Sequence, residues 1–365
     1  MSLRDDPHQA SQLPRVNVLL LNWNGWRDTV ECLETVFRLD YPNFRVIVCD
    51  NASSDGSVEH ILDWAAGRLT ADVPAGELRH LAPDPVAKPI RVTELDRQRA
   101  ERAGADPARD AELIVIRTGA NLGFAGGNNV GLRYLTGVAK HDLVWLLNND
   151  MVVAPDSLRL MVDRLLGGNR VGLVGATLLE YARPEIIDSA GGGRLVPWQG
   201  MPRETSATGQ KRGTPAAIPS RLDFISCGCL LTHVATVADI GLIDERYFMY
   251  CEDIDYSLRA RARGLSIVHC VPAEIWHKGG SSVVHRSPRH DYYLVRSALL
   301  LVQKFHPHLL PAAMGFSLYR CLLPKVIRFQ GARLRAVARG YRDFATTTFL
   351  RRSTAADTPI GAPAE

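Results

Sequence analysis

Three short segments of this 365-residue chain end a β-rich run in side chains able to hold a charged ligand: Asn22-Trp23-Asn24-Gly25, Asp50-Asn51-Ala52-Ser53 and Asn148-Asn149-Asp150. Asx residues commonly end strands and cap helices, which is the plain reading of any one of them. Three at equivalent positions ask for more, because ligands of an open parallel sheet bind beyond the carboxyl ends of its strands. The third is the most informative, since an apolar run from Leu143 to Leu147 delivers two amides and a carboxylate together. A hard divalent cation, Mg2+ or Mn2+, bridging two phosphates takes few protein oxygens and keeps positions for substrate and water. Asp150 meets that need.

Further along, Glu252-Asp253-Ile254-Asp255 precedes a helical pattern through Tyr256, Leu258 and Ala262. Acids suit a helix amino terminus for dipole reasons alone. Two adjacent carboxylates also raise one another's pKa, which is what a general base working near neutrality requires. Asp255 is read as a helix cap or the partner of a nearby basic residue. Downstream, Ile275-Trp276-His277-Lys278-Gly279-Gly280 closes another apolar run with an imidazole and an ammonium. An imidazole is an acceptable manganese ligand, and Lys278, with His285 or Arg286, could neutralise phosphate on a closing loop.

The glycines between Gly119 and Gly131 are not spaced as G-x-G-x-x-G, and no P-loop lysine follows. Gly123 and Gly126 permit close backbone approach, with Asn128 and Asn129 offering amides to a nucleotide or sugar. The alternative is a glycine-rich helix packed tightly on a sheet.

The elements that must position these groups alternate along the chain. Strands are expected at Val16 to Leu21, Phe44 to Cys49, Leu113 to Ile116 and Leu143 to Leu147. Between the first two, Val30, Leu33, Val36 and Phe37 recur at helical spacing. That is the pattern of an α/β chain with a mostly parallel sheet covered by helices. Residues 67–111, with five prolines and a charged run, read as an insertion bearing one solvated helix. Residues 191–220, rich in Gly, Pro, Ser and Thr, read as a long loop near a site.

Composition narrows the class. With 46% hydrophobic and 22% charged residues the chain should fold, and 43 Lys and Arg against 39 Asp and Glu leave +4, too slight an excess for nucleic acid as the main partner. Seven scattered cysteines without C-x-x-C pairs argue against a disulfide framework or structural zinc and suit a reducing cytoplasm. Asp5, Asp6 and Pro7 stand where a signal peptide would be apolar, and the longest uncharged apolar stretch near the end, Leu309 to Tyr319, is far short of a membrane span. From Arg320 to Arg342 there are seven Lys or Arg and no acid, interleaved with Leu and Val. Such a segment either lies on the anionic inner face of a plasma membrane or docks on the body of the protein. The expected divisions are a flexible 1–15, a catalytic 16–306, a basic amphipathic helical extension 307–350 and a disordered tail 351–365.

Taken in order, Asp50 to Gly56, Asn121 to Asn129, Asn148 to Asp150 and Glu252 to Asp255 resemble the motifs of family 2 inverting glycosyltransferases, and among them bacterial rhamnosyltransferase-like enzymes. The resemblance covers roughly residues 16–286 apart from the two insertions. It implies a GT-A fold, Rossmann-like, and a nucleotide-diphosphate-sugar donor, dTDP- or UDP-linked, with dTDP-rhamnose favoured. A divalent cation and a glycan or lipid-linked saccharide acceptor of the cell envelope are implied as well. Asp50 then resembles the carboxylate that pairs with the nucleotide base, with Asn22, Asn24, Asn51, Ser53 and Asn149 lining the same pocket. Asn148 and Asp150 stand where the family carries the outer aspartates of its metal motif; an amide at the first removes one negative charge and weakens the cation site. His277 resembles the histidine completing the metal and diphosphate site. Asp253 resembles the catalytic base with Glu252 beside it, and Phe224 to Leu231 the segment facing sugar and acceptor. A sugar nucleotidyltransferase, or a non-catalytic glycan- or nucleotide-binding protein with a degenerate site, are the rival readings.

Overall fold

The computed structural model describes residues 13–102, 104–214, 222–279 and 287–354. The chain divides into two compact units. Met1–Leu195, Pro202–Phe248 and Glu252–Ser282 form the first, and Val196–Met201, Met249–Cys251 and Val283–Glu365 the second.

The first unit opens with β1 (Val16–Asn22), α1 (Trp26–Val36), β2 (Phe44–Asp50) and α2 (Ser57–Ala65). It continues with β3 (Val92–Asp96), α3 (Arg97–Glu101), β4 (Leu113–Arg117), α4 (Gly123–Val138), β5 (Leu143–Asn148), β6 (Met151–Val153) and α5 (Ser157–Leu166). Then come β7 (Val171–Glu180), β8 (Ile187–Ala190), β9 (Gly192–Val196), β10 (Met201–Glu204), β11 (Phe224–Ile225), β12 (Cys229–His233), α6 (Val234–Ile240), α7 (Glu252–Ala262) and β13 (Ser266–His277). The main sheet runs β3-β4-β2-β1-β5-β12-β7-β13-β6, with β8 on β7. It is mostly parallel; β12, β6 and β8 run against their neighbours.

Strand periodicity explains why both faces are covered. Val16, Val18 and Leu20 of β1 pack with Leu33 of α1 and Ile61 and Trp64 of α2, while Leu19 between them packs with Ile47, Ile114 and Leu146 against Val130 and Leu135 of α4. Central strands buried on both sides read as continuous apolar runs, which is why β1, β2, β4 and β5 were visible in the sequence.

Two segments depart from expectation. Residues 67–111 contain a 3-10 turn at Gly76–Leu81, the short α3, and β3, which pairs in parallel with β4 as the edge strand. Of the residues Val92 to Asp96 only Leu95 is buried, so the apolar signal of this strand is thin, and its charges face solvent as an edge strand's should. Residues 191–220 are not a structureless loop: β9 and β10 join β11 in a separate three-stranded sheet. Gly192 permits that pairing, since a Cβ there would overlap the Phe224 carbonyl oxygen. Residues 215–221 lie outside the described residues.

The second unit is helical: α8 (Pro288–Phe305), α9 (Leu310–Ser317), a π-helical turn at Leu318–Leu322, α10 (Leu323–Ile327) and α11 (Gly331–Thr354). Ser287 caps α8 by accepting from the His290 amide at 3.1 Å, with Pro288 at the first helical position. Asp291 in the first turn of α8 is buried and ties three helices together, meeting Lys325 of α10 at 3.2 Å and Arg333 of α11 at 2.6 Å. The helix α11 reaches Thr354, beyond Arg351 where a disordered tail was expected; residues 355–365 lie outside the described residues. No helix among the described residues is long and apolar enough to cross a membrane.

Candidate active site

Parallel pairing brings the strand-end groups side by side. Asn22 stands opposite Asp50, and Leu21 opposite Asn148, so the ends of β2, β1 and β5 form one rim. Asn22 is fully buried and donates to Asp50 Oδ1 at 2.8 Å, while Asp50 Oδ2 accepts from the Ser53 amide at 3.1 Å. Ser53 Oγ accepts from the Asn24 amide at 2.9 Å, and Asn24 Oδ1 accepts from the Ser54 amide at 2.7 Å. The turns that make this possible place Asn24 and Ala52 at φ 51° and 60°, a region non-glycine residues seldom occupy. Thr29 of α1 extends the network. Its hydroxyl donates to Asn22 Oδ1 at 2.8 Å and accepts from Asn149 Nδ2 at 2.9 Å, joining the end of β1 to the residue before Asp150.

Asp150 reaches a different neighbour. The link Asn149-Asp150 carries the chain from central β5 to β6 at the far edge, where Met151 lies opposite His277 of β13. His277 Nε2 therefore faces Asp150 Oδ2 at 3.4 Å, and His277 Nδ1 meets Asp188 Oδ2 of β8 at 2.8 Å. Burial works against the imidazolium, but the two carboxylates outweigh it and push the histidine up to about 10. Asp188 was not anticipated. Its own segment carries no motif, and its role arises only from the pairing of β8 with β7 beside β13.

Lys278 departs from its expected role. Its ammonium is held by Asp28 at 2.7 Å and Glu31 at 2.5 Å, both on α1, and Tyr181 donates to Glu31 at 2.7 Å. Burial lowers the lysine pKa and the two carboxylates more than restore it, so the charge is firmly kept and internally compensated rather than offered to phosphate. His285 and Arg286 lie outside the described residues.

The Glu252-Asp253 pair opens α7, which the chain enters through Tyr250 and Cys251 at φ 68° and 67°. Ser257 of α7 accepts from the Ile225 amide at 3.0 Å, fixing the helix beneath the strand that leads to Ser226-Cys227-Gly228. The Gly228 carbonyl in turn accepts from the Asn148 amide at 2.8 Å, and a Cβ on Gly228 would sit 3.0 Å from Asn148 Nδ2. Between these contacts the Cys227 thiol is buried and pushed well up, by desolvation and then by the Asp253 and Glu252 charges. The carboxylate pair thus lies one short segment from the end of β5. Glu252 is 8% exposed with Oε2 lacking a hydrogen-bond partner, and burial followed by the Asp253 charge raises its pKa strongly. Asp253 is only half-buried, and desolvation raises it less, against the Ile254 amide that it accepts at 2.8 Å. Both carboxyls are thus raised above their ordinary range, with burial the leading cause in each. Asp255 is paired with Arg259 at 2.6 Å, one of the two roles foreseen.

The glycine segment serves packing. A Cβ on Gly127 would come within 2.5 Å of Leu21, and one on Gly131 within 2.5 Å of Leu19, so α4 lies directly on β1. Gly126 faces Leu122, and Gly123, at φ +73°, abuts the Phe248 carbonyl. Asn128 is 2% exposed and donates to the Phe124 carbonyl at 3.0 Å, so its amide is spent inside the helix rather than on a ligand. Asn129 donates to the Ile243 carbonyl at 2.8 Å and accepts from the Ile243 amide at 3.0 Å. Asn51 accepts from the Leu122 amide at 3.0 Å and donates to the Gly123 carbonyl at 3.1 Å. Gly123, Gly126 and Asn128, expected to line the donor, carry these structural contacts: the segment fastens both ends of residues 243–248, which lead to the carboxylate pair.

Among the described residues no group of three or more His, Cys, Asp or Glu is arranged to hold a metal. Asp150 and His277 offer one carboxylate and one imidazole facing each other, with Asp188 orienting the imidazole from behind. That donor set fits a cation that displaces the His277 Nε2 proton and takes its remaining ligands from diphosphate and water.

A sequence model described as "Glycosyltransferase like family 2" matches residues 93–290, more than half of the chain. The chain belongs to that family. A second model, "Glycosyl transferase family 2", matches residues 18–73. This family 2 chain is 30% identical over 185 residues to an N-acetylglucosaminyl-diphospho-decaprenol L-rhamnosyltransferase of Mycobacterium tuberculosis, covering 46% of this chain and 60% of that protein. It is 24% identical over 172 residues to the Low-salt glycan biosynthesis hexosyltransferase Agl10 of Haloferax volcanii, covering 46% and 52%. The matches thus span little more than half the length of these relatives. Among solved structures, GalNAc-T7 with UDP, GalNAc and Mn2+ superposes with a TM-score of 0.53 at 12% identity, covering 98% of this chain and 62% of that one. That is a likeness of fold, and the mostly parallel sheet flanked by helices is the GT-A glycosyltransferase architecture.

Proposed function

We propose that this family 2 chain is an inverting glycosyltransferase that moves a sugar from a nucleotide-diphosphate donor to a hydroxyl of a glycan or lipid-linked acceptor, with Asp253 as the base. The observation that carries the reading is the carboxylate pair itself. Asp253 keeps solvent access where Glu252 is buried, burial raises both carboxyls toward neutrality, and the segment that packs on their helix bonds to the rim at Asn148.

In the reaction the acceptor oxygen attacks the anomeric carbon from the face opposite the diphosphate. Its proton passes to an Asp253 carboxylate oxygen as the bond from carbon to diphosphate oxygen breaks, and the electron pair leaves with the diphosphate. Glu252, its neighbour, orients the acceptor or the base. Asp150 and His277 would hold a divalent cation, which when bound neutralises diphosphate charge. Asp188 keeps the His277 ring turned toward Asp150. Asp50 and Asn22, with Ser53, are assigned to the nucleotide base.

Rhamnose from dTDP-rhamnose is the donor favoured by likeness to the mycobacterial rhamnosyltransferase. The test is turnover of a panel of nucleotide sugars, with Mn2+ and with chelator, following released nucleotide. Nucleoside diphosphate is expected. Pyrophosphate would instead identify a nucleotidyltransferase, and calorimetric absence of any nucleotide-diphosphate binding would remove the enzymatic reading.

A further inference from the structure

The second unit carries a feature that sugar transfer leaves unexplained. Ten large apolar residues are exposed among the described residues, and six of them, Leu318, Tyr319, Leu323, Val326, Ile327 and Phe329, fall within twelve positions. Phe329 is 94% exposed and sits at φ +52°, a conformation disfavoured for an aromatic residue, at the turn between α10 and α11. The turn is firmly mounted. Lys325 and Arg333, on either side of it, both pair with buried Asp291 of α8. Its backbone is also satisfied from within, the Phe329 amide donating to Val326 at 3.1 Å and the Gln330 amide to Lys325 at 2.9 Å. A rigid, internally hydrogen-bonded tip with an outward phenylalanine can enter an apolar medium without stranding polar backbone.

Charge identifies the medium. Arg320 and Arg328 are exposed within the patch, and Arg335 and Arg339 are exposed one turn apart on α11; Arg342, exposed a turn further on, is paired with Asp343 at 2.9 Å. No acid occurs between Arg320 and Arg342. A second copy of the chain would bring the same positive surface against itself, whereas anionic lipid headgroups complement it. Trp198, half-exposed and packed edge-on to Phe316 at 5.2 Å, adds an aromatic of the kind favoured at a headgroup boundary.

We propose that Leu318–Phe329, with Arg335 and Arg339 of α11, docks this protein peripherally on bilayers rich in anionic lipid, the apolar tip entering the headgroup boundary. The inference does not depend on which sugar is transferred.

The experiment is co-sedimentation of the full chain with vesicles of phosphatidylglycerol mixed with phosphatidylcholine, and with phosphatidylcholine alone. Binding to the mixed vesicles only, weakened by salt, is expected. The double variant Ile327→Ser, Phe329→Ser should weaken it by about 10- to 100-fold through lost apolar burial. Arg335→Gln with Arg339→Gln should weaken it by about fivefold per charge. All variants should keep the wild-type melting temperature and donor turnover in free solution. Equal binding of the double variant and wild type, or no preference for phosphatidylglycerol, would overturn the proposal. So would concentration-dependent dimerisation abolished by the double variant without vesicle binding, which would assign the patch to self-association.

Discussion

His277 hydrogen-bonds Asp188 through Nδ1 at 2.8 Å, and this contact is what turns its other nitrogen toward Asp150. A histidine whose ring is fixed by a carboxylate makes a better oriented and more basic ligand than a free one. Asp188→Asn should therefore weaken Mn2+ binding in the presence of nucleoside diphosphate by about 10- to 100-fold. Electron paramagnetic resonance of free Mn2+ during titration reads this directly, without turnover. An unchanged affinity would remove Asp188 from the site.

Gly123→Ala tests the structural role of the glycine segment. Its φ of +73° and a Cβ position 2.5 Å from the Phe248 carbonyl oxygen combine backbone strain with a clash against main chain. A loss of roughly 2–4 kcal/mol in denaturant unfolding is expected. Gly119→Ala, where nothing lies within 4 Å, should cost less despite a similar φ of +77°.

How far the sequence could be read follows the range of the interactions involved. The four strands β1, β2, β4 and β5 were legible because burial on both faces makes them continuous apolar runs. The edge strand β3 was not, because four of its five residues escape burial. Strand-end residues Asn22, Asp50 and Asn148 were placed together from position alone, since parallel neighbours must end at one rim. The ion pairs of Lys278 are not legible, because Asp28 and Glu31 lie 250 and 247 positions away and nothing local announces them. The bond of Asn128 is local instead: an amide four residues after Phe124 in a helix can satisfy itself on the preceding turn, and here it does.

Glu252 gives a pH signature. Its carboxyl is raised in the folded protein, first by burial and then by the Asp253 charge. The folded state thus keeps a proton that the unfolded chain releases, and stability falls as pH rises from the ordinary glutamate range toward the raised one. Glu252→Gln removes that loss. Its melting temperature should decline less than that of wild type between mildly acidic and mildly alkaline pH, and parallel curves would show that the glutamate is not held neutral.

The same burial places the acidic limb of the wild-type rate profile above the usual aspartate range, because Asp253 must be ionised to accept a proton. A limb at ordinary aspartate values would mean that a different group is the base.

The central claim rests on Asp253, and Asp253→Asn keeps its size while removing its basicity. Measured side by side, transfer by the variant should fall by roughly 10² to 10⁴, with calorimetric affinity for nucleoside diphosphate and Mn2+ unchanged. Near-normal turnover in that variant would contradict the account.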